Sequence, residues 1–219
     1  AITLNGGGLS AAASFTLNSN RSLALIGNGS LDAAAGQTLT YAGYAAGFGA
    51  LSKTGSGTLA LNAATSTAGF TLSAGTLQVG NAGALGKGLL TLAGGTFDNA
   101  TGSALTLSGN NAQAWTGDFT FTGTNNLSLG TGAVTINGGT VNLTTTNLRV
   151  SAPIEAAAAT GGQAELRLGD RVLAKDLVIA AADTEVTFDL GTSTPAGLQA
   201  ALSGAGDLTV RLLNVVGLS

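Results

Sequence analysis

Apolar and polar residues alternate over short segments along most of this chain of 219 residues. A two-residue period places successive apolar side chains on one face of an extended backbone, so the pattern predicts β-strands that each bury one face. The segments are bounded by Gly, Asn, Ser or Asp, which favour turns. Helical spacing is almost absent, and we therefore predict an all-β fold. The predicted strands are residues 15–17, 23–26, 38–41, 58–61, 76–79, 105–107, 119–121, 127–129, 141–143, 165–168, 177–179 and 186–190.

One short phrase recurs three times in the sequence. It reads ITLNGGGL at residues 2–9, LTLAGGTF at residues 90–97 and VTINGGTV at residues 134–141, with starts 88 and 44 residues apart. Each strand of a β-sandwich has its own surroundings, whereas the coils of a solenoid share theirs and can repeat a phrase. A spacing of 44 residues corresponds to two coils of about 22 residues. The repeat therefore favours a β-solenoid, with a β-sandwich as the alternative.

Composition divides the chain near Pro153. Residues 1–152 contain 27 Gly and 7 charged residues, and residues 153–219 contain 8 Gly and 12 charged residues. We predict a Gly-rich solenoid over 1–152, followed over 153–219 by a less regular β region that either continues the solenoid or forms a terminal subdomain. One short helix is predicted from Thr194 to Gly204. Aromatic residues make up only 5% of the chain, so a narrow core of Leu, Val, Ile and Ala is expected.

Charge and residue types exclude several classes of function. The chain has no Cys and no His, which excludes disulfides, thiolate or histidine zinc sites and His-dependent nucleophilic catalysis. The net charge is −3, and without a basic patch we expect no nucleic-acid partner. No apolar run approaches the roughly 20 residues of a membrane span. We predict neither a cofactor nor a metal, and the lack of Cys fits an extracellular bacterial protein.

The acidic residues of the second region are the strongest candidates for catalysis. Paired carboxylates cleave polysaccharides in some β-helices when they are held together as acid and base. The alternative is a solvated face, because Asp183, Glu185 and Asp189 have strand spacing and basic residues intervene. We favour the solvated face and predict no catalytic residue. The cluster consists of Asp170, Asp176, Asp183, Glu185 and Asp189.

Three weaker signals are better explained by structure than by binding. The stretch Gly86-Lys87-Gly88 lacks the preceding Gly and the following Ser or Thr of a phosphate loop, so it is read as a turn. Thr-x-Thr pairs could order water on a flat face, but they do not recur at the coil period and are read as ordinary strand residues. Trp115, Tyr41 and Tyr44 could contact sugars, but we expect them to pack at turns.

Residues 51–97 resemble the passenger-associated, or autotransporter-associated, β-strand repeat of very large bacterial surface proteins. The matching pieces are KTGSGTL at residues 53–59, AGTLQVG at residues 74–80, and ALG at residues 84–86 followed by LTL at residues 90–92. The resemblance implies a right-handed parallel β-helix, secretion, and a structural or adhesive role at a cell surface. It implies no catalytic residues.

The two ends of the chain suggest how such a protein could assemble. A strand begins at once at the first end, with Ile2 and Leu4 as its apolar residues, and a long apolar strand lies near the other end, with Leu208, Val210 and Leu212. Solenoid ends expose unpaired backbone groups, which natural proteins normally cap.

We therefore expect a secreted structural protein, a unit of a cell-surface fibre, matrix filament or adhesin stalk. Its partner would be a second copy joined head to tail, or further repeats of the same protein. A glycan-binding adhesin module is the alternative, and a polysaccharide-active enzyme is the less favoured third.

Overall fold

The chain forms a stack of coils in which each strand lies beside its counterpart in the next coil. The structure is a computed structural model that describes residues 1–122 and 125–136, and beyond them the backbone of strands between residues 139 and 204. The described residues form 26 strands and no helix. All of the strand pairings are parallel.

The strands have the following bounds. The first half comprises β1 (Ile2–Leu4), β2 (Gly8–Ala11), β3 (Phe15–Leu17), β4 (Leu23–Leu25), β5 (Gly29–Ala33), β6 (Thr38–Tyr41), β7 (Ala45–Gly47), β8 (Leu51–Thr54), β9 (Thr58–Leu61), β10 (Thr65–Ser66), β11 (Gly69–Leu72), β12 (Thr76–Val79) and β13 (Leu89–Leu92). The second half comprises β14 (Gly95–Asn99), β15 (Leu105–Thr106), β16 (Gln113–Trp115), β17 (Phe119–Phe121), β18 (Leu127–Ser128), β19 (Val134–Ile136), β20 (Gly139–Leu143), β21 (Leu148–Arg149), β22 (Pro153–Ala156), β23 (Gln163–Leu168), β24 (Asp176–Ile179), β25 (Glu185–Asp189) and β26 (Ala201–Gly204).

These strands form two long sheets and a third, interrupted face. Sheet 1 has ten strands in the order β2-β5-β8-β11-β13-β16-β19-β22-β24-β26, and sheet 2 has nine, from β3 to β25. The third face lies in sequence between a sheet 2 strand and the next sheet 1 strand. It consists of a four-stranded stack, β1-β4-β7-β10, and a three-stranded stack, β15-β18-β21.

A turn segment replaces the strand that the third face lacks between its two stacks. Residues 81–86 lie there, and Ala84 and Leu85 are buried in the core. The amide of Thr65 in β10 donates to the carbonyl of Gly83 over 2.9 Å, and the amide of Ser108 donates to the carbonyl of Ala82 over 2.9 Å. The segment therefore joins the two stacks by backbone hydrogen bonds on both sides.

The parallel pairing confirms the predicted β-solenoid and excludes the β-sandwich for the described residues. A sandwich requires antiparallel strands that pass back and forth between its sheets. Here, by contrast, a strand pairs with the strand of the same sheet one coil later. Leu51 of β8, for example, lies between Gly29 of β5 and Phe70 of β11.

The repeated phrase is only partly in register with the coils. The second and third copies begin at Leu90 and Val134, which lie in the same column of sheet 1 with Gln113 between them, so the 44-residue spacing does span two coils. The first copy begins at Ile2, which lies on the third face and pairs with Leu23. The first copy is therefore not equivalent in position to the other two. Coils also differ in length, since Thr58 and Thr76 pair across 18 residues and Gly95 and Phe119 pair across 24.

Inward-facing residues form continuous columns along the stack. One column of sheet 1 runs from Leu31 through Lys53, Leu72 and Leu92 to Trp115, and all five side chains are fully buried. The core also contains large aromatic side chains, so the expected core of Leu, Val, Ile and Ala is incomplete. The buried aromatic residues are Tyr41, Phe70, Phe97, Trp115, Phe119 and Phe121.

Strand pairing continues across the change in composition at Pro153. The strand β22 begins at Pro153 and pairs with β19 on one side and β24 on the other. The predicted helix is wrong at its end, because Ala201–Gly204 form β26, which pairs with β24. Pairing with a preformed edge overrides weak local helix propensity. Among the described residues, no helix has the length and apolar character needed to cross a membrane.

Candidate functional site

The predicted assembly strand is the outermost strand of its stack among the described residues. Within β1, Leu4 is buried and Ile2 is half-buried. The Ile2 amide donates to the Ser22 carbonyl over 2.7 Å, and the Leu4 carbonyl accepts from the Ile26 amide over 3.0 Å. Alternate residues of a parallel strand bond to opposite sides. The backbone N–H and C=O of Thr3 therefore point away from β4, toward the outer edge.

The other predicted site residues fall into two groups. The first group lies outside the described residues and consists of the assembly residues Leu208, Val210 and Leu212 and the acidic residues Asp170 and Asp183. Asp176 lies in sheet 1, whereas Glu185 and Asp189 lie in sheet 2. The acidic cluster of the sequence is therefore divided between two sheets, so its members do not lie on one face as a group.

Two of the three aromatic candidates for sugar contact are buried. Trp115 is fully buried and packs edge-to-face on Phe119, with ring centroids 5.2 Å apart. Tyr41 is also buried, so neither ring can stack on a ligand at the surface. Tyr44 is exposed, as is Phe48, whose side chain is 97% accessible at the corner between β7 and β8.

The hydroxyl of Tyr41 ties a corner of the solenoid together. It accepts a hydrogen bond from the Leu23 amide over 3.1 Å and lies 3.0 Å from the Arg21 carbonyl and 2.9 Å from the Tyr44 carbonyl. Burial raises the pKa of this phenol, and the hydrogen bond from the Leu23 amide opposes the shift. The side chain therefore links two successive coils from within the core.

We expect the Tyr41→Phe variant to lose about 1 kcal/mol of unfolding free energy, the usual net value of such hydrogen bonds. The folded chain holds the phenolic proton more tightly than the unfolded chain. The contribution of Tyr41 to the unfolding free energy is thus complete below the ordinary tyrosine pKa. It is lost as pH rises through the raised pKa of Tyr41 in the folded chain. Urea unfolding at neutral and alkaline pH measures both effects. Tyr44→Phe is the matched control at an exposed tyrosine, and an equal loss there would contradict the assignment.

Lys53 is a buried lysine in the otherwise apolar column of sheet 1. Its side chain is fully buried between Leu31 and Leu72 of the adjacent coils. The ammonium donates to the Thr54 carbonyl, to the Gly55 carbonyl over 2.7 Å and to the Ala74 carbonyl over 3.2 Å. The first two carbonyls belong to its own corner and the third to the corner of the next coil. Lys53 therefore joins two coils through their backbones.

The electrostatic environment of Lys53 is dominated by burial. Desolvation lowers the pKa of its ammonium, and attraction to the Asp32 carboxylate opposes that shift. One oxygen of Asp32, Oδ1, is buried without a hydrogen-bond partner, while Oδ2 accepts from the Ser10 hydroxyl over 3.0 Å. Sequence reasoning missed this role, although Lys53 opens the KTGSGTL segment, where a lysine precedes two glycines in a strand-to-turn step.

Buried amides serve the same purpose at other corners. Asn99 donates through Nδ2 to the carbonyls of Ser103 and Asn126, over 2.8 and 2.7 Å, and its Oδ1 accepts from the Thr101 amide over 3.0 Å. Asn111 donates through Nδ2 to the Gly88 carbonyl over 2.6 Å. Since buried backbone groups need partners, these side chains complete the hydrogen bonding of turns that strand ladders leave unfinished.

Glycine is required where successive coils come closest, at the corner before sheet 1. A Cβ built on Gly49 would lie 1.9 Å from the Gly27 carbonyl oxygen, and one on Gly88 would lie 1.9 Å from the Ala68 carbonyl oxygen. Gly132 has the same relation to Asn111, also at 1.9 Å. The obstacle in each case is backbone of the preceding coil, which cannot move without breaking the stack.

The outer face of sheet 2 carries an unbroken row of threonines, which we call the threonine row. Each member pairs with the next across five consecutive coils and is half-buried. Within the described residues, none of these five side chains makes a hydrogen bond. The expectation concerned Thr-x-Thr pairs, and the pair Thr38/Thr40 indeed has no counterpart in the next coil, where Thr40 pairs with Ala60, but single threonines do recur. The members are Thr38, Thr58, Thr76, Thr96 and Thr120.

These features define the class of protein: a parallel β-solenoid in which several buried polar side chains hydrogen-bond to the backbone of its turns. Within the described ranges, no three His, Cys, Asp or Glu residues gather as metal ligands. No protein-family model matches the sequence, and neither the curated proteins nor the solved structures contain a match.

Proposed function

We propose that this chain is a structural β-solenoid of a bacterial cell-surface fibre, extracellular matrix filament or adhesin stalk, and that its units join end to end by strand pairing. The observation that carries the proposal is the parallel pairing of strands from coil to coil, which runs through the ten strands of sheet 1 and the nine strands of sheet 2. Such a stack can be extended by any further unit that offers parallel strands at the same spacing.

The polar chemistry of the interior supports a structural role. The buried side chains Lys53, Asn99 and Tyr41 all bond to backbone groups of turns. Their hydrogen-bonding capacity is directed at holding neighbouring coils together. Repeat proteins of this kind gain stability from each added neighbour, which suits an element that is extended by adding units.

The Thr3→Pro variant tests the proposal at a single backbone group. Proline removes the N–H of residue 3, which points to the outer edge of β1, and leaves the hydrogen bonds of Ile2 and Leu4 to β4 in place. We expect wild-type chains at neutral pH to form fibres visible by negative-stain electron microscopy. The variant should form short rods only, with a sedimentation coefficient that no longer increases with protein concentration.

Thr3→Val is the matched control, because valine keeps the N–H and the strand preference while changing the side chain. This variant should form fibres like the wild type. Wild-type protein that stays as single short rods at every concentration would contradict end-to-end joining, and so would fibres of the Thr3→Pro variant indistinguishable from those of the wild type.

A further inference from the structure

The threonine row is a second exposed feature that end-to-end assembly does not use. Its five members are spaced by one strand each, so it extends over four strand spacings, or about 19 Å. It lies on the side of the solenoid, at right angles to the strand edges that the proposed function involves. Any ligand of the row must therefore bind along the stack.

The hydroxyl groups of the row are available for binding. Some hydroxyls elsewhere in the described residues bond to the protein itself, as Thr65 does to the Ala84 carbonyl over 3.0 Å and Ser52 to the Gly29 carbonyl over 3.2 Å. None of the five threonines has such a partner within the part of the chain that the structure describes. A free hydroxyl can donate one hydrogen bond and accept two, so the row offers donors and acceptors at regular intervals.

Among the described residues, the face around the row carries one exposed charge, Asp118, which lies two residues before Thr120 at one end of the row. The second outward position on the same strands is filled by Thr40, Ala60, Gln78 and Asp98 in successive coils. The only charged residue among these is Asp98, which is 5% exposed. The part of the row from Thr38 to Thr96 thus has no exposed charge beside it and no cation for a phosphate or a sulfate, which fits an uncharged ligand.

The dimensions of the row favour a linear ligand. A stable protein interface needs about 800 Å² on each partner, which a row one residue wide cannot supply. Small-molecule sites are concave, whereas this row lies on the outer face of a sheet. A lattice such as ice would need regularity in two directions, and the second position is irregular. An extended polymer with repeating hydroxyl groups would instead meet the same contact at each coil, so that weak bonds add along its length.

We propose that the threonine row is a docking surface for an extended neutral polysaccharide that lies along the solenoid axis. The proposal is independent of end-to-end joining, since a single short rod carries the whole row. It gives the protein a lateral attachment to carbohydrate in addition to its structural role.

Affinity electrophoresis tests the proposal with defined probes: hydroxyethyl cellulose, laminarin and galactomannan as neutral polymers, and polygalacturonate as a charged one. At least one neutral polymer should retard the wild-type protein, and polygalacturonate should not. The triple variant Thr58→Val, Thr76→Val, Thr96→Val keeps side-chain shape and strand preference but removes three hydroxyls. If each hydroxyl contributes about fivefold, its dissociation constant should rise on the order of a hundredfold.

The outward threonines of sheet 1 provide the matched control. Thr71 and Thr91 pair with each other and are half-buried like the members of the row. The double variant Thr71→Val, Thr91→Val should bind as the wild type does. Circular dichroism verifies that each variant is folded, and the single variant Thr76→Val, with about a fivefold loss, replaces the triple variant if that one unfolds.

Four results would overturn the proposal. They are the absence of retardation by all three neutral polymers, retardation by polygalacturonate alone, an equal loss in the sheet 1 control, and thermal hysteresis of freezing without polymer binding. The last result would mean that the threonine row binds ice and not a polysaccharide. Fibre formation by the Thr3→Pro variant bears only on the proposed function, so the two proposals can fail separately.

Discussion

The Lys53→Met variant should unfold at a much lower urea concentration than the wild type, with a loss of about 3–5 kcal/mol in unfolding free energy. Methionine keeps most of the apolar stem between Leu31 and Leu72. The carbonyls of Thr54, Gly55 and Ala74 lose the ammonium that bonds to them. A buried acceptor without a partner bears its full desolvation cost, and the attraction between the Lys53 ammonium and the Asp32 carboxylate is also lost.

Lys87→Met is the control for this substitution. Lys87 is exposed at the end of the turn segment of residues 81–86, so the same change of residue type there should alter the unfolding free energy by less than about 0.5 kcal/mol. If both variants lose the same unfolding free energy, the loss comes from removing a positive charge from this acidic chain. In that case the hydrogen bonds of Lys53 at the two corners do not explain it.

The Gly49→Ala variant should lose about 3 kcal/mol, which is more than an alanine usually changes. The added Cβ would lie 1.9 Å from the Gly27 carbonyl oxygen and 2.3 Å from its carbon, both in the preceding coil. Relief requires the two coils to separate at this corner, which weakens the adjacent pairing of β5 with β8. Thermal unfolding followed by circular dichroism measures the loss.

Gly7→Ala provides the comparison at the same corner of the end coil. A Cβ on Gly7 meets no atom within 4 Å, so this variant should be as stable as the wild type or slightly more stable, because alanine restricts the unfolded chain. Gly49→Ala with wild-type stability would mean that the corner can widen freely and that coil stacking does not require glycine there.

The two-residue period was sufficient to predict the fold class and most of the strands. The strands at residues 38–41, 58–61 and 76–79 have the predicted bounds, because one buried face leaves a clear alternation such as that of Thr76–Val79. The coil register could not be predicted in the same way. Corners differ in length, so equal spacing of a phrase along the chain does not ensure equal position in the stack, as Ile2 and Leu90 show.

The side-chain roles were harder to predict than the strands. A buried lysine and an exposed lysine have the same appearance in sequence, and the burial of Lys53 depends on carbonyls of two corners 20 residues apart, Thr54 and Ala74. The threonine row was not predicted because only Thr-x-Thr pairs within one strand stand out in the sequence. Its members are 18, 20 and 24 residues apart, so they align only when the coils do.

The direction of the hydrogen bonds between coils determines how this protein would respond to tension. These bonds run from coil to coil, as from the Thr76 amide to the Gly57 carbonyl over 3.0 Å, and thus along the axis of the stack. A pull on the two ends stretches one layer of bonds at a time, whereas strands pulled along their own length would shear many at once. We therefore expect the solenoid to lengthen coil by coil at low force, with pauses where Lys53 bonds across two coils.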